Sequence, residues 1–176
     1  MSKESVKEWI IYILAVIIIS FCIVTFVGQR TVVDGHSMND TLQDKDNLIV
    51  DKLSYRFTDI DRFDIVVFKY HEDPKTYFIK RVIGLPGETV QIIGDDIYID
   101  GEILEEDYGK EPMESPGRAS EPITLGEDEY FVLGDNRNDS RDSRDPSVGD
   151  VERDAIIGRA LFRITPFNKA GLLLDR

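Results

Sequence analysis

Apolar and polar positions follow two regimes along the chain. From Trp9 to Gln29 no residue is charged, and most are Ile, Val, Leu, Phe or Ala. No polar stripe interrupts the run, as it would in a helix lying on a soluble core. A membrane-spanning helix needs about 20 such residues. The apolar core of a cleavable signal peptide is about 7–15 residues long and ends at a small-x-small site, which Thr25-Phe26-Val27-Gly28-Gln29 does not offer. The pattern therefore predicts one uncleaved N-terminal transmembrane α-helix over residues 9–29, preceded by a short tail, 1–8. Beyond it the period shortens. Asn47–Asp51, Asp64–Tyr70, Thr76–Leu85, Glu129–Leu133 and Ala155–Thr165 are short runs rich in Val, Ile, Phe and Tyr between charges or turn residues, which predicts strands. Asp100-Gly101 between alternating apolar residues predicts a hairpin turn over 97–104. Residues 105–128 are acidic, hold Pro112, Pro116 and Pro122, and read as a long loop or small excursion.

Length adds that one domain with a sizeable core is expected. Charge adds more. The chain has 34 acidic and 21 basic residues, a net charge of −13, and Lys3, Glu4, Lys7 and Glu8 cancel. The excess lies downstream, where it repels phosphate backbones, so nucleic acid is not an expected partner. The single cysteine, Cys22, excludes an intrachain disulfide. Lys3 and Lys7 before the apolar run balance Arg30 and Lys45 after it, so the positive-inside rule gives no orientation.

Three segments carry candidate chemistry. Val33-Asp34-Gly35-His36-Ser37-Met38-Asn39-Asp40-Thr41-Leu42 holds a serine that, taken alone, reads as a turn or cap residue. In Tyr77–Glu88, strand alternation puts Lys80 on one face with Phe78 and Val82, and Arg81 on the other with Ile79 and Ile83. One of the two cations must face the core; the plainer alternative is that one snorkels at an edge. Gly134-Asp135-Asn136-Arg137-Asn138-Asp139-Ser140-Arg141-Asp142-Ser143-Arg144 follows a strand. It is either a solvated loop or a ligand loop, but it lacks the glycine and closing glutamate of an EF-hand, and its arginines oppose a cation.

Together these segments resemble the type I signal peptidases of bacteria, in the single-anchor, Gram-positive-like form. The nucleophile motif Ser-Met-x-Pro-Thr-Leu appears as Ser37-Met38-Asn39-Asp40-Thr41-Leu42. Arg-Gly-Asp-Ile-Val-Val-Phe appears as Arg62-Phe63-Asp64-Ile65-Val66-Val67-Phe68. Lys-Arg-x-x-Gly-x-Pro-Gly-Glu/Asp is matched in full by Lys80 to Glu88. Gly-Asp-Asn-Arg-x-x-Ser-x-Asp-Ser-Arg is matched in full by Gly134 to Arg144. Asp40 replaces the proline, and its side chain is expected to set the turn through the backbone. Phe63 replaces the glycine, implying a different approach to the following strand.

The resemblance implies a mostly β, antiparallel, barrel-like catalytic core over 30–176, with a small inserted sub-domain near 90–128. It makes Ser37 the nucleophile and Lys80 the general base. A neutral amine is required for that role, and burial beside Phe78 and Val82 favours it. Ser140 would orient Lys80, Asp142 and Arg144 would pair to hold their loop, and the Ser37 backbone N–H would meet the oxyanion. Val33, Met38, Leu42 and Phe78 are the candidates for shallow pockets accepting small side chains such as Ala. No cofactor or metal is implied. The implied partners are precursors carrying signal peptides and the lipid bilayer, with the translocation channel a further candidate. The catalytic domain would lie outside the cytoplasm and residues 1–8 inside. A Ser-His-Asp triad fits poorly, because His36 adjoins Ser37 and His71 sits in a polar turn. A self-cleaving repressor would need a DNA-binding module, and its own scissile Ala-Gly occurs here only as Ala170-Gly171. A catalytically impaired homologue or membrane-anchored binding domain is the alternative from another class, motivated by Asp40.

Overall fold

A computed structural model describes residues 3–22 and 28–173. One helix, α1 (Lys3–Cys22), precedes twelve strands: β1 (Gly28–Val32), β2 (Asn47–Asp51), β3 (Ile65–Lys69), β4 (Tyr77–Gly84), β5 (Thr89–Ile93), β6 (Asp96–Ile99), β7 (Glu102–Ile103), β8 (Ile123–Thr124), β9 (Glu129–Leu133), β10 (Val151–Glu152), β11 (Ile156–Thr165) and β12 (Gly171–Leu172). They form an eight-stranded sheet in the order β1-β2-β11-β3-β4-β9-β10, with β12 on β11, and a four-stranded sheet in the order β7-β6-β5-β8. Neighbouring strands are antiparallel in both. The mostly β expectation therefore holds, while the barrel-like one is narrowed: β1 and β10 end the large sheet and do not pair with each other.

The expected spanning helix also changes. Gly28 and Gln29 belong to β1, paired with Asp51 and Val50, so the helical run cannot reach 29. Among the described residues no helix is long and apolar enough to cross a membrane. The uncharged part of α1, Trp9–Cys22, is 14 residues, about 21 Å of helix against a hydrocarbon core of about 30 Å. Residues 23–27 of the expected span lie outside the described residues.

Burial explains where the site forms. In β2 only Leu48 and Val50 are buried, the alternation of a one-sided strand. In β3, however, Ile65 to Phe68 are all buried, as are Lys80 to Gly84 of β4 and Tyr130 to Leu133 of β9. These three central strands are covered on both faces. One face packs Val66, Phe68, Val82, Val132 and Ile156; the other packs Ile83, Phe131 and Leu133 with the small sheet, and Ile65 with the turn after β1, Leu48 of β2 and Ala160 of β11. Asp100 (φ +52°) and Gly101 (φ +85°) form the expected tight turn between β6 and β7.

Candidate active site

Ser37 sits in the turn between β1 and β2, which closes on itself. The Val33 N–H donates to the Asp46 carbonyl and the Lys45 N–H to the Val33 carbonyl, each at 2.9 Å. The Gly35 N–H donates to the Asp44 carboxylate at 2.9 Å, and Gly35 takes φ +109°, which a side chain would resist. Met38 and Leu42 anchor the turn in the apolar cluster with Leu48, Ile65 and Ala160. The loop after β9 grips it from the other side. The Asn136 N–H donates to the Ser37 carbonyl at 3.0 Å, and the Asn136 side-chain amide to the His36 carbonyl at 3.1 Å. Gly134 permits this approach: a Cβ there would stand 2.4 Å from the Ser37 carbonyl oxygen and 2.2 Å from Ser140 Oγ.

Strand β4 delivers Lys80 to this turn. Its Nζ lies 2.7 Å from Ser37 Oγ and donates to the Ile79 carbonyl at 3.0 Å. Lys80 is 4% exposed. Burial in apolar surroundings lowers its pKa from 10.5 to about 8, against the pull of Asp142 and Asp135 and with help from Arg141. A lysine so placed is partly neutral near pH 8, and only the neutral amine can take the Ser37 proton.

The remaining predicted residues fall into place unevenly. Asp142 and Arg144 pair at 2.8 Å, and Asp142 also accepts the Gly134 N–H at 3.0 Å, so the pair shapes the loop that grips Ser37. Ser140 Oγ is buried beside Gly134 but has no hydrogen-bond partner, so the implied bond to Lys80 is not made. Val33, Met38 and Phe78 line a cleft of about 550 Å³ in front of Ser37 and Lys80. Leu42 does not. It is fully buried in the core beneath the turn, because the chain bends back there through the Leu42 N–H to Met38 carbonyl bond of 2.8 Å. Neither histidine bonds Ser37: His36 is exposed at the cleft, and His71 lies against Tyr70 at 5.3 Å between ring centroids.

Of the two replaced motif positions, Asp40 differs from expectation. Asp40 is exposed and does not tie the turn; the Asn39–Asp40 peptide is cis. The turn is held instead by Thr41, whose hydroxyl donates to Asp135 and whose carbonyl accepts from Arg163 at 2.7 Å. Phe63 keeps a left-handed backbone, φ +74°, the conformation for which glycine is suited. The Phe63 ring packs 5.1 Å from that of Tyr108.

Sequence reasoning missed a second buried cation. Arg81 is 3% exposed on the face opposite Lys80 and makes a two-pronged ion pair with Asp135 (2.9 and 2.7 Å). Its guanidinium also stacks 3.6 Å over Tyr108. One cation was expected to stay near water. The assumption failed because β4 is a central strand covered on both faces, and the unbroken burial of its neighbours β3 and β9 is the physical reason.

Comparison with known proteins gives one answer. The family described as "Signal peptidase, peptidase S26" matches residues 6–165. A "Probable signal peptidase I-2" of Synechocystis sp. is 40% identical over 164 residues, covering 90% of this chain and 73% of that protein. A "Signal peptidase I P" of Bacillus subtilis subsp. natto is 36% identical over 163 residues, covering 89% and 87%. The crystal structure of a signal peptidase I from Enterococcus faecalis V583 is similar at a TM-score of 0.50 and 36% identity, over 58% of this chain and 97% of that one.

Proposed function

The chain belongs to the signal peptidase family, peptidase S26, and on that premise we propose that it cleaves signal peptides from translocated precursors after small-x-small sites, using Ser37 and Lys80. The observation that carries the dyad is the 2.7 Å contact between Ser37 Oγ and a buried Lys80 amine. The neutral amine takes the hydroxyl proton as Oγ attacks the scissile carbonyl carbon. The charge on the tetrahedral oxygen is met by the Ser37 N–H. The Lys80 ammonium then returns its proton to the departing amine, leaving an acyl-enzyme. A water activated by the same amine releases the acyl group and restores Ser37. Asp142 and Arg144 act one step removed, by holding the loop that grips the Ser37 carbonyl.

Cleavage of an Ala-x-Ala precursor in detergent tests the reading. The natural chain is expected to cut it, and Ser37→Ala to remain folded without cutting. Retention of activity within a few-fold by Ser37→Ala would remove the assignment. Asp40 motivated the alternative of an impaired homologue or binding domain, but its side chain points to solvent and the Ser37–Lys80 contact is made without it.

Specificity for small side chains rests on the cleft itself. Val33 and Met38 are 4% and 2% exposed, so pockets formed over them are shallow. Replacing Ala by Leu at the first position before the cut should lower kcat/KM by about fivefold to a hundredfold, as overpacking commonly costs about 1–3 kcal/mol. Equal turnover of the two substrates would contradict the pocket.

The domain reading is a tail over 1–8, an anchor beginning at Trp9, and a catalytic domain with the small sheet inserted near 90–128. The anchor is supported by the uncharged run ahead of β1 and by its uncovered side chains: Trp9, Tyr12, Val16 and Phe21 are 63–65% exposed. Large apolar side chains left open along a helix mark a surface meant for lipid or a partner. The domain then lies outside the cytoplasm, where translocated precursors arrive. Protease added to intact protoplasts should digest it, and full protection would reverse the orientation.

A further inference from the structure

The motif around Ser140 and Asp142 leaves the residue between them unspecified, and in this chain it is Arg141. Its guanidinium lies 4.7 Å from the ring centroid of Tyr70 and 5.1 Å from that of Phe78. Those two rings are stacked, 4.8 Å apart and inclined by 16°. Phe78 in turn stands 5.2 Å from Lys80 Nζ. Both cations therefore flank one aromatic ring. Arg141, Phe78 and Lys80 line the same cleft. The stack joins the loop after β9 to the β3–β4 hairpin that carries Lys80.

The other charges around Lys80 are committed elsewhere. Asp135 is paired with Arg81 and Asp142 with Arg144. Asp34, on the nucleophile segment, is bound to Lys45. His36 and Asp139 complete the rim of the cleft. Asp135 and Asp142 still favour the ammonium, and Arg141 opposes them.

We propose that Arg141 is a positioning residue for peptide hydrolysis: stacked on Tyr70 and Phe78, it holds the aromatic cover over the Lys80 amine and sets a positive charge beside it, which favours the neutral base. The inference rests on the Ser37–Lys80 reading above and deepens it. Exposed though it is, Arg141 would matter through the amine and not through the substrate.

The test is the pH profile of kcat/KM for the full chain in detergent on one Ala-x-Ala precursor, with Arg141→Ala and Arg141→Glu. A neighbouring charge in part-solvated surroundings moves a titration midpoint by about 0.5–1 pH unit. Arg141→Ala should therefore move the acidic limb upward and lose about threefold to tenfold in rate below it. The deficit should shrink as pH rises past the limb, and Arg141→Glu should move the limb further. A loss of equal factor at every pH, or a limb that does not move, would overturn this role and leave the Ser37–Lys80 assignment standing. A natural enzyme with no acidic limb, or an active Ser37→Ala, would overturn both.

Discussion

Lys80→Arg should be as inactive as Lys80→Met, each at least about a hundredfold below the natural enzyme in kcat/KM, and Lys80→Met should be more stable than the natural protein at pH 7. The activity follows from proton transfer. A positioned base supplies about 10²–10⁴-fold, and a guanidinium keeps its proton in proteins, so arginine retains charge and bulk while losing the function. For the natural enzyme the rate should rise with pH through a limb near 8, where Lys80 loses its proton. An arginine variant within tenfold of the natural rate would show that the site needs only a positive charge.

Stability follows from the same burial. The fall from 10.5 to about 8 corresponds to about 3 kcal/mol of cost for carrying the ammonium in the folded state. The cost is complete below pH 8, where folded and unfolded chains both bind the proton. It disappears as pH rises toward 10.5, because there only the unfolded chain still binds it. Methionine removes the cost and forfeits the contacts to Ser37 and the Ile79 carbonyl, each worth about 1 kcal/mol. A net gain of about 1–2 kcal/mol is expected at pH 7, seen as a melting temperature a few degrees higher. The gain should fall on raising the pH toward 10.5 and turn into a loss of about 2 kcal/mol, since only the two forfeited contacts then remain. A Lys80→Met protein less stable at pH 7 than at pH 10.5, relative to the natural chain, would reverse the sign of the burial argument.

The sequence was most legible where a strand carries its own pattern. β2 and β9 match the expected runs, and β3, β4 and β11 match within one or two residues. The Asp100-Gly101 turn was set by local chemistry and needed no tertiary information. Among the strands that were missed, β5 alternates, with Val90 and Ile92 buried, and its signal was overlooked; the others depend on partners. β8, β10 and β12 are two residues each and exist only by pairing with β5, β9 and β11. β1, Gly-Gln-Arg-Thr-Val, has no alternation because it is an edge strand. At the site, Ser37, Lys80, Asp142 and Arg144, which the motifs singled out, lie together in the structure, while Leu42 shows the motifs' limit. A leucine one turn beyond a nucleophile is apolar whether it faces substrate or core, and only the bend at Met38 decides. Arg81 shows another: alternation fixed its direction, but whether that face was wet depended on the small sheet and on Tyr108, remote in sequence.

Asp135→Asn is expected to cost about 3–5 kcal/mol of stability. From the loop after β9, the wholly buried Asp135 accepts from three groups on two other segments: two nitrogens of Arg81 on β4 and the hydroxyl of Thr41 in the turn that carries Ser37. An amide keeps the shape and loses the charge, leaving the Arg81 guanidinium buried without a counter-ion. Leaving such a charge uncompensated is what makes breaking a buried pair expensive. The stacking on Tyr108 and the bond to the Phe63 carbonyl at 2.9 Å remain, and they do not neutralise it. The pair's net worth is a separate quantity. Arg81→Met combined with Asp135→Leu removes both charges at similar volume, and it should recover most of the stability lost by Asp135→Asn alone. It should not recover full activity, because Thr41 would then have no acceptor and the turn carrying Ser37 would lose one of its ties to the strand carrying Lys80. Urea unfolding of the natural protein, Asp135→Asn and the double variant, with precursor cleavage measured on each, separates the two effects. A double variant as active as the natural chain would show that the pair serves folding alone, and an Asp135→Asn protein within 1 kcal/mol of it would show that Arg81 reaches water after all.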